Sequence, residues 1–310
     1  MGRSATRTAV QQMIRKAQSV LVTGASGAVG TAVIRKLRAE GFHVRAMVRR
    51  TAIPSERGIE LVTADLADCD TLAKCVCGIT FAVHCAATLS ADETLCRRTN
   101  VLGTANLVEA LITAGCKRLV SLSSVSVYDM SLGWDLNEDS PLWSTWSSPY
   151  GRSKVEAECI VAGARGRGLE SVILRPVPVL SLHPTSFWGP LALERSRHMS
   201  APVFSYAELP FVHADNLAEA VVLALRSHAA TGRVYNVIDG YGETVAYLAA
   251  LSSVTGRPAP ILQRDAPRMR VAGERFRIEV GYTPTDRFGE FLAQLSIRST
   301  TSARNSELQR

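Results

Sequence analysis

The sequence predicts an α/β fold, a doubly wound parallel sheet with a small lobe built from its C-terminal part. Three observations predict it. Short apolar runs alternate with helix-period segments from residue 19 to residue 174. The first run passes through a glycine-rich turn into the first helical segment. After Pro176 the texture changes, with proline, glycine and aromatic residues accumulating through Pro210. Strands separated by helices in this rhythm make βαβ units and therefore a parallel sheet.

The elements follow in order. Residues 19–23 form the first strand and residues 28–40 the first helix, which Gly41 closes as a C-terminal glycine. Strands two to five are expected at 43–48, 59–64, 79–86 and 118–123, with helical segments at 68–76 and 93–114 between them. A helix from about residue 153 to 164 leads to a sixth strand at 171–174. Beyond the change of texture come a helix at 215–226 and a short strand at 234–238. No internal repeat is evident, and the chain beyond Leu295 is polar and reads as frayed.

Composition narrows the function classes. The chain has 310 residues, 46% hydrophobic and 20% charged, enough apolar material for a full core. No apolar run approaches the roughly 18 residues of a membrane span. The net charge of +7 is scattered, with no basic run longer than Arg49-Arg50 or Arg97-Arg98, so it suits an anionic small molecule better than nucleic acid. Seven cysteines without a C-x-x-C pair argue for reduced thiols and a cytoplasmic setting. Cys75 and Cys77 lack partners at metal-ligand spacing, and no metal is expected. The basic stretch before residue 18 lacks the apolar segment of a secretory signal. Its opening Met1-Gly2-Arg3-Ser4-Ala5-Thr6 formally fits a myristoylation pattern, but reads as a flexible leader.

Val20-Leu21-Val22-Thr23-Gly24-Ala25-Ser26-Gly27-Ala28-Val29-Gly30 is a strand, a glycine turn and a helix start. Gly24 permits the tight turn, Gly27 lets backbone approach a pyrophosphate, and Gly30 lets the helix sit close to the sheet. The helix N-terminus then offers free N–H groups to phosphate. Gly24, Ser26, Gly27, Ala28, Val29 and Gly30 are thus candidate contacts of a dinucleotide in a Rossmann-type fold. On this reading residues 19–175 form the dinucleotide-binding domain, with 211–240 returning to it. Residues 176–210 and 241–295 form the substrate lobe, 1–18 the leader and 296–310 a flexible tail.

The second strand decides which dinucleotide. NAD-binding folds end it in Asp or Glu, which bonds the ribose hydroxyls. Here it runs His43-Val44-Arg45-Ala46-Met47-Val48-Arg49-Arg50 with no acid. Guanidinium groups at Arg49 and Arg50 can pair bidentately with a 2′-phosphate, so NADP is expected in preference to NAD.

Tyr150-Gly151-Arg152-Ser153-Lys154 puts a phenol and an ammonium on one face of a helix. An isolated tyrosine titrates near pH 10, too high for a general base, and a nearby ammonium favours its phenolate. The glycine turn, with spacing G-x-x-G-x-x-G after threonine, and this Tyr and Lys resemble the short-chain dehydrogenase/reductase superfamily. Ser123-Ser124-Val125-Ser126-Val127-Tyr128 resembles the S-S-x-x-V-Y segment of its extended members. The resemblance covers residues 19–295. It implies that Ser124, or failing it Ser126, bonds the reacting oxygen. It implies that Asn100, in Thr99-Asn100-Val101-Leu102-Gly103-Thr104, sustains a helix and a proton-relay water. Asp65 and Leu66 resemble the adenine-contacting pair, and Cys85-Ala86-Ala87 the segment beneath the cofactor ribose. Pro176 and Val179 fall where extended members line the nicotinamide, and Lys154 where they hold its ribose. Phe211-Val212-His213-Ala214-Asp215-Asn216-Leu217-Ala218 and Val280-Gly281-Tyr282-Thr283-Pro284 resemble two further segments.

Departures from the family bear on the substrate. Extended members that act on nucleotide-diphosphate sugars carry Asn and Arg where this chain has Pro178 and Leu209. Neither residue offers such a donor. Val179-Leu180-Ser181 replaces the V-Y-G-P continuation. His183, Phe187, Trp188, Phe204, Tyr206, Trp143 and Trp146 lie in segments beside the site, where some can wall an apolar pocket. The expectation is an NADP(H)-dependent ketoreductase or alcohol dehydrogenase for an apolar, non-nucleotide small molecule. The alternatives are a nucleotide-sugar epimerase or dehydratase and a non-catalytic NADP-binding redox sensor. Helices at 93–114 and 153–164 correspond to a frequent homodimer face of the family.

Overall fold

A computed structural model describes residues 18–49, 58–143, 148–192, 207–256 and 268–307, with side chains described up to 297. The leader before residue 18, Arg50, Trp146, Phe204 and Tyr206 lie outside the described residues. Seven strands make the central sheet: β1 (Ser19–Thr23), β2 (His43–Val48), β3 (Ile59–Thr63), β4 (Phe81–His84), β5 (Arg118–Leu122), β7 (Glu170–Pro176) and β10 (Val234–Val237). All pairs are parallel, in the order β10-β7-β5-β4-β1-β2-β3. The order reverses between β1 and β4. Helices leave these two strands toward opposite faces there, opening a crevice at their C-terminal ends.

Both faces of the sheet are covered, which is why the central strands β1 and β4 read as short apolar runs. On one face α1 (Ala28–Ala39) and α6 (Ala214–Arg226) bury Val33, Leu37, Leu217 and Val221 against Val20, Val22 and Val120. The other face carries α2 (Cys69–Val76), α4 (Gly103–Thr113) and α5 (Pro149–Gly163), with Leu72, Leu107, Leu111 and Val161 packed around Leu21 and Leu119. Gly41 follows α1 at φ +83°, the left-handed conformation expected of it.

A second layer stands over the C-terminal ends. The short strands β8 (Val179–Leu180), β9 (Glu208–His213) and β11 (Gly240–Glu243) form a sheet with β9 in the middle. With α7 (Thr244–Thr255) and α9 (Phe288–Glu307) they enclose a separate cluster of Leu180, Leu209, Phe211, Tyr247, Leu248, Leu251, Phe291 and Leu295. A two-residue pairing of β6 (Asp135–Leu136) with β12 (Arg270–Val271), and α8 (Glu274–Val280), complete the described elements. No helix among the described residues is long and apolar enough to cross a membrane.

Strand β4 is shorter than its expected span of 79–86, and three helical elements also differ from the sequence reading. The catalytic-segment helix begins at Pro149 rather than near residue 153, because the Ser148 hydroxyl accepts the Gly151 N–H at 3.1 Å and Pro149 suits the first turn. The segment expected as one helix over 93–114 is α3 (Glu93–Cys96), a π-helical turn (Arg97–Leu102) and then α4. Helix α9 continues to Glu307, where the sequence predicts a flexible tail.

A buried polar network ties the central sheet to α5. Arg175 on β7 forks onto Glu158 of α5, with Nε–Oε1 at 2.9 Å and Nη2–Oε2 at 2.6 Å. Its Nη1 donates to the Tyr128 hydroxyl at 3.0 Å, which donates to Asn236 of β10 at 2.6 Å. Both ion-pair side chains are buried, so removing one strands the other charge. Arg175→Met is expected to lower the unfolding free energy by about 3–5 kcal/mol. Adding Glu158→Gln to that variant should recover part of the loss, read by urea denaturation.

Candidate active site

The parallel sheet puts every sequence-predicted site segment on one edge. Thr23, Val48, Thr63, His84, Leu122 and Pro176 end their strands in the same direction. The residues that follow each strand therefore share one edge: Gly24, Arg49, Asp65, Cys85, Ser124 and Val179.

At the glycine turn, Gly24 sits at φ +65°, and a Cβ there would lie 2.7 Å from the Ala86 nitrogen. A Cβ on Gly30 would overlap the Gly24 carbonyl oxygen, so helix and turn touch backbone to backbone. A Cβ on Gly27 would meet only that carbonyl, at 3.3 Å, which leaves its outer side open. No side chain caps α1 at Gly27, and the Ala28 N–H points to the Thr185 hydroxyl at 3.2 Å. An open glycine, a helix start without a side-chain cap of its own and a positive helix end fit a pyrophosphate.

The flanking candidates are held differently. Arg49 is exposed beyond β2. The Asp65 carboxylate accepts the Ala67 N–H at 3.0 Å, while Leu66 is buried against Gly103, where a Cβ would lie 3.0 Å from that of Leu66. Cys85 and Ala86 are half-buried and Ala87 exposed. Pro176 is buried at the end of β7, and Val179 is half-buried opposite Val212.

Tyr150 and Lys154 lie on the first turns of α5, the phenol hydrogen-bonded to Ser124. Ser124, extended at φ −164°, accepts the Ser126 N–H at 3.1 Å and donates to the Ser126 hydroxyl at 3.1 Å. The buried Lys154 ammonium donates to the Leu122 carbonyl at 2.6 Å. Asn100, in the π-helical turn, donates to the Thr88 carbonyl at 3.1 Å and to the Ser153 hydroxyl at 2.8 Å. Ser153 in turn donates to the Tyr150 carbonyl at 2.7 Å, so Asn100 holds the backbone of the tyrosine. Such π-turns recur at functional sites.

The electrostatics depart from the expectation that Lys154 lowers the tyrosine. Burial pushes the Tyr150 phenol up to about 12, and the opposing influence is the Ser124 hydroxyl. Burial also brings Lys154 down to about 8, against the Glu158 carboxylate one turn along. Desolvation is the largest influence on both groups in the protein alone.

Several side chains expected to wall a pocket serve other ends. Trp188 packs on Tyr247 with ring centroids 6.2 Å apart, and Phe187 meets it edge-on at 5.7 Å. The His183 ring lies 2.9 Å from the Thr185 hydroxyl and accepts the Thr185 N–H, a local turn. Trp143 donates its backbone N–H to Val127. The sequence reading passed over His84, buried between Thr23 and Thr104. A lone histidine ending an apolar strand was its only signal.

Comparison with known proteins completes the site. The sequence profile of the NAD dependent epimerase/dehydratase family matches residues 20–237. A UDP-glucose 4-epimerase of Vibrio cholerae is 27% identical over 241 residues, 74% of this chain and 73% of that protein. The 4-hydroxy-2-methyl-3-oxo-4-farnesyl-3,4-dihydroquinoline-1-oxide ketoreductase of Stigmatella aurantiaca is 30% identical over 227 residues, 71% of this chain and 67% of that protein. A short-chain dehydrogenase/reductase superfamily protein of Agrobacterium tumefaciens, solved with bound NAD, superposes with a TM-score of 0.76. It is 25% identical and covers 94% of this chain and 100% of its own. A glycine cradle at the β1–β4 crevice, a Tyr–Lys pair facing it and a profile match over most of the chain agree: the chain belongs to the NAD-dependent epimerase/dehydratase family, the extended NAD(P)-dependent short-chain dehydrogenases/reductases.

Proposed function

We propose that the protein is an NADP(H)-dependent ketoreductase or alcohol dehydrogenase for an apolar, non-nucleotide carbonyl or alcohol. The observation that carries this reading is Leu209. Where sugar-nucleotide enzymes place an arginine, Leu209 is 2% exposed inside the apolar cluster of the second layer. Pro178, against Val212 of the same strand as Leu209, has no side-chain donor, and its carbonyl accepts the Val212 N–H at 3.1 Å. At these two positions a diphosphate would find neither a cationic nor an amide side chain. The Stigmatella relative, whose name describes a farnesylated ketone, fits the same substrate class.

The dinucleotide, when bound, supplies or accepts the hydride. The chain's own residues handle the proton and the geometry. Ser124 orients the carbonyl oxygen beside Tyr150, and the Tyr150 phenol gives its proton to the alkoxide as negative charge develops. A phenol held at about 12 stays protonated at neutral pH, which suits the acid's role in reduction. Lys154, fixed on Leu122, keeps a positive charge facing the crevice. Arg49, with no acid at the end of β2, supports NADP over NAD.

The Vibrio relative favours a second reading, a nucleotide-sugar epimerase with transient oxidation. NADPH consumption with apolar ketones, against interconversion of UDP-glucose without net cofactor turnover, separates the two. Tyr150→Phe should lower the ketone reaction by about 10²–10⁴-fold while leaving dinucleotide binding intact. In fluorescence titrations NADPH should bind about tenfold more tightly than NADH, and Arg49→Asp should reverse the order. Tighter NADH binding by the unmodified chain would sink the NADP assignment.

Lys154 also makes stability depend on pH. Its folded pKa of about 8 lies below the ordinary 10.5, so across that interval the unfolded chain holds more protons and stability rises with pH. Tyr150 and the thiols of Cys85 and Cys116 work in the opposite direction from about pH 9 upward. The difference between the parent and Lys154→Met isolates the lysine: the variant should gain stability most below pH 8 and lose that advantage by 10.5. Denaturant midpoints measured across this range provide the check.

A further inference from the structure

Behind the candidate site a buried histidine takes no part in the chemistry described above. His84 closes β4 with its ring between two threonines. Nδ1 lies 2.7 Å from Thr23 Oγ1 at the end of β1, and Nε2 lies 3.0 Å from Thr104 Oγ1 on α4. All three side chains are at most 2% exposed, so no bulk water competes for these bonds.

Each hydroxyl and each ring nitrogen can donate or accept in isolation. Their neighbours remove that freedom. Thr104 Oγ1 lies 2.5 Å from the Asn100 carbonyl, which only accepts, so the Thr104 proton points there. Thr104 must then accept from the ring, and the ring hydrogen sits on Nε2. At the other end the Ala86 N–H donates to Thr23 Oγ1 at 3.3 Å. The Thr23 proton is thereby directed at a bare Nδ1. Beyond Asn100 the side-chain amide continues to Ser153, and Ser153 to the Tyr150 carbonyl. The run connects the segment under the glycine turn to the catalytic helix without a gap.

We propose that His84, as the neutral Nε2–H tautomer, is a positioning residue that fixes the catalytic helix relative to the dinucleotide cradle through Thr23, Thr104 and Asn100. A protonated ring would present a donor to Thr23, whose oxygen already accepts from Ala86, and the Thr23 proton would lose its acceptor on the ring. Burial holds the imidazole down at about 3, and the Lys154 ammonium that faces it acts in the same direction. The ring thus transmits position without carrying charge.

This proposal rests on the dinucleotide reading of the glycine turn, and two measurements on the full chain keep the two apart. Nitrogen-15 NMR of the His84 ring, assigned by loss of its signals in His84→Asn, should show Nε2–H and bare Nδ1, unchanged between roughly pH 6 and 8. An Nδ1–H ring or an imidazolium in that range overturns the proposal. Thr104→Val removes the central acceptor at nearly constant shape, and NADH and NADPH titrations should show binding weakened by about tenfold. Thr104→Ser should restore it to within about twofold. A Thr104→Val chain that binds both dinucleotides like the parent overturns the proposal, whatever its melting temperature. The tautomer measurement needs no variant and decides the matter if Thr104→Val fails to fold. If the parent binds neither dinucleotide, the cofactor reading fails, and the tautomer alone upholds or overturns the relay.

Discussion

Two strand ends meet backbone to backbone at the centre of the sheet, and the site is arranged around that contact. Gly24 follows β1 and Ala86 follows β4, at the place where the strand order reverses. No residue with a side chain fits at position 24, because its Cβ would fall inside the Ala86 backbone and its φ is positive. The close approach sets where α1 begins and leaves the Gly27 side of its N-terminus open. It also brings Thr23 within reach of the Ala86 N–H and His84. Cradle and relay therefore share one steric origin.

Burial dominates the charges around the crevice. It moves the Tyr150 phenol and the Lys154 ammonium toward their neutral forms, whereas Arg175 and Glu158 remain an ion pair because they meet as a bidentate fork with further donors and acceptors around them. Glu158 belongs to both arrangements, since its charge also favours the Lys154 ammonium. Helix α5 thus carries Tyr150 and Lys154 on its first turns and its anchor to β7 one turn later. A chain that places polar groups at such depth needs every partner satisfied, and Asn100, Ser153 and Tyr128 are.

The substrate side follows a different rule. The second layer has its own apolar cluster, into which Leu209, Phe211 and Tyr247 are drawn and against which Trp188 packs. Trp188 packs on Tyr247 and so helps to hold that layer. The sheet and the covering layer are built around separate apolar clusters.

The glycine turn, the Tyr150–Lys154 pair, Ser124 and the parallel sheet were legible in the sequence because each rests on local spacing. A strand–turn–helix needs its glycines in order, and two residues four apart on a helix share a face whatever surrounds them. The missing acid after β2 was legible in the same way. Tertiary structure alone decided the rest. The π-helical turn at Asn100, the fork between Arg175 and Glu158, and the place of His84 depend on contacts between residues 17 to 61 positions apart. The direction in which the tyrosine titrates was also settled there. Spacing brings an ammonium near a phenol, but only the packed surroundings decide whether desolvation or charge prevails.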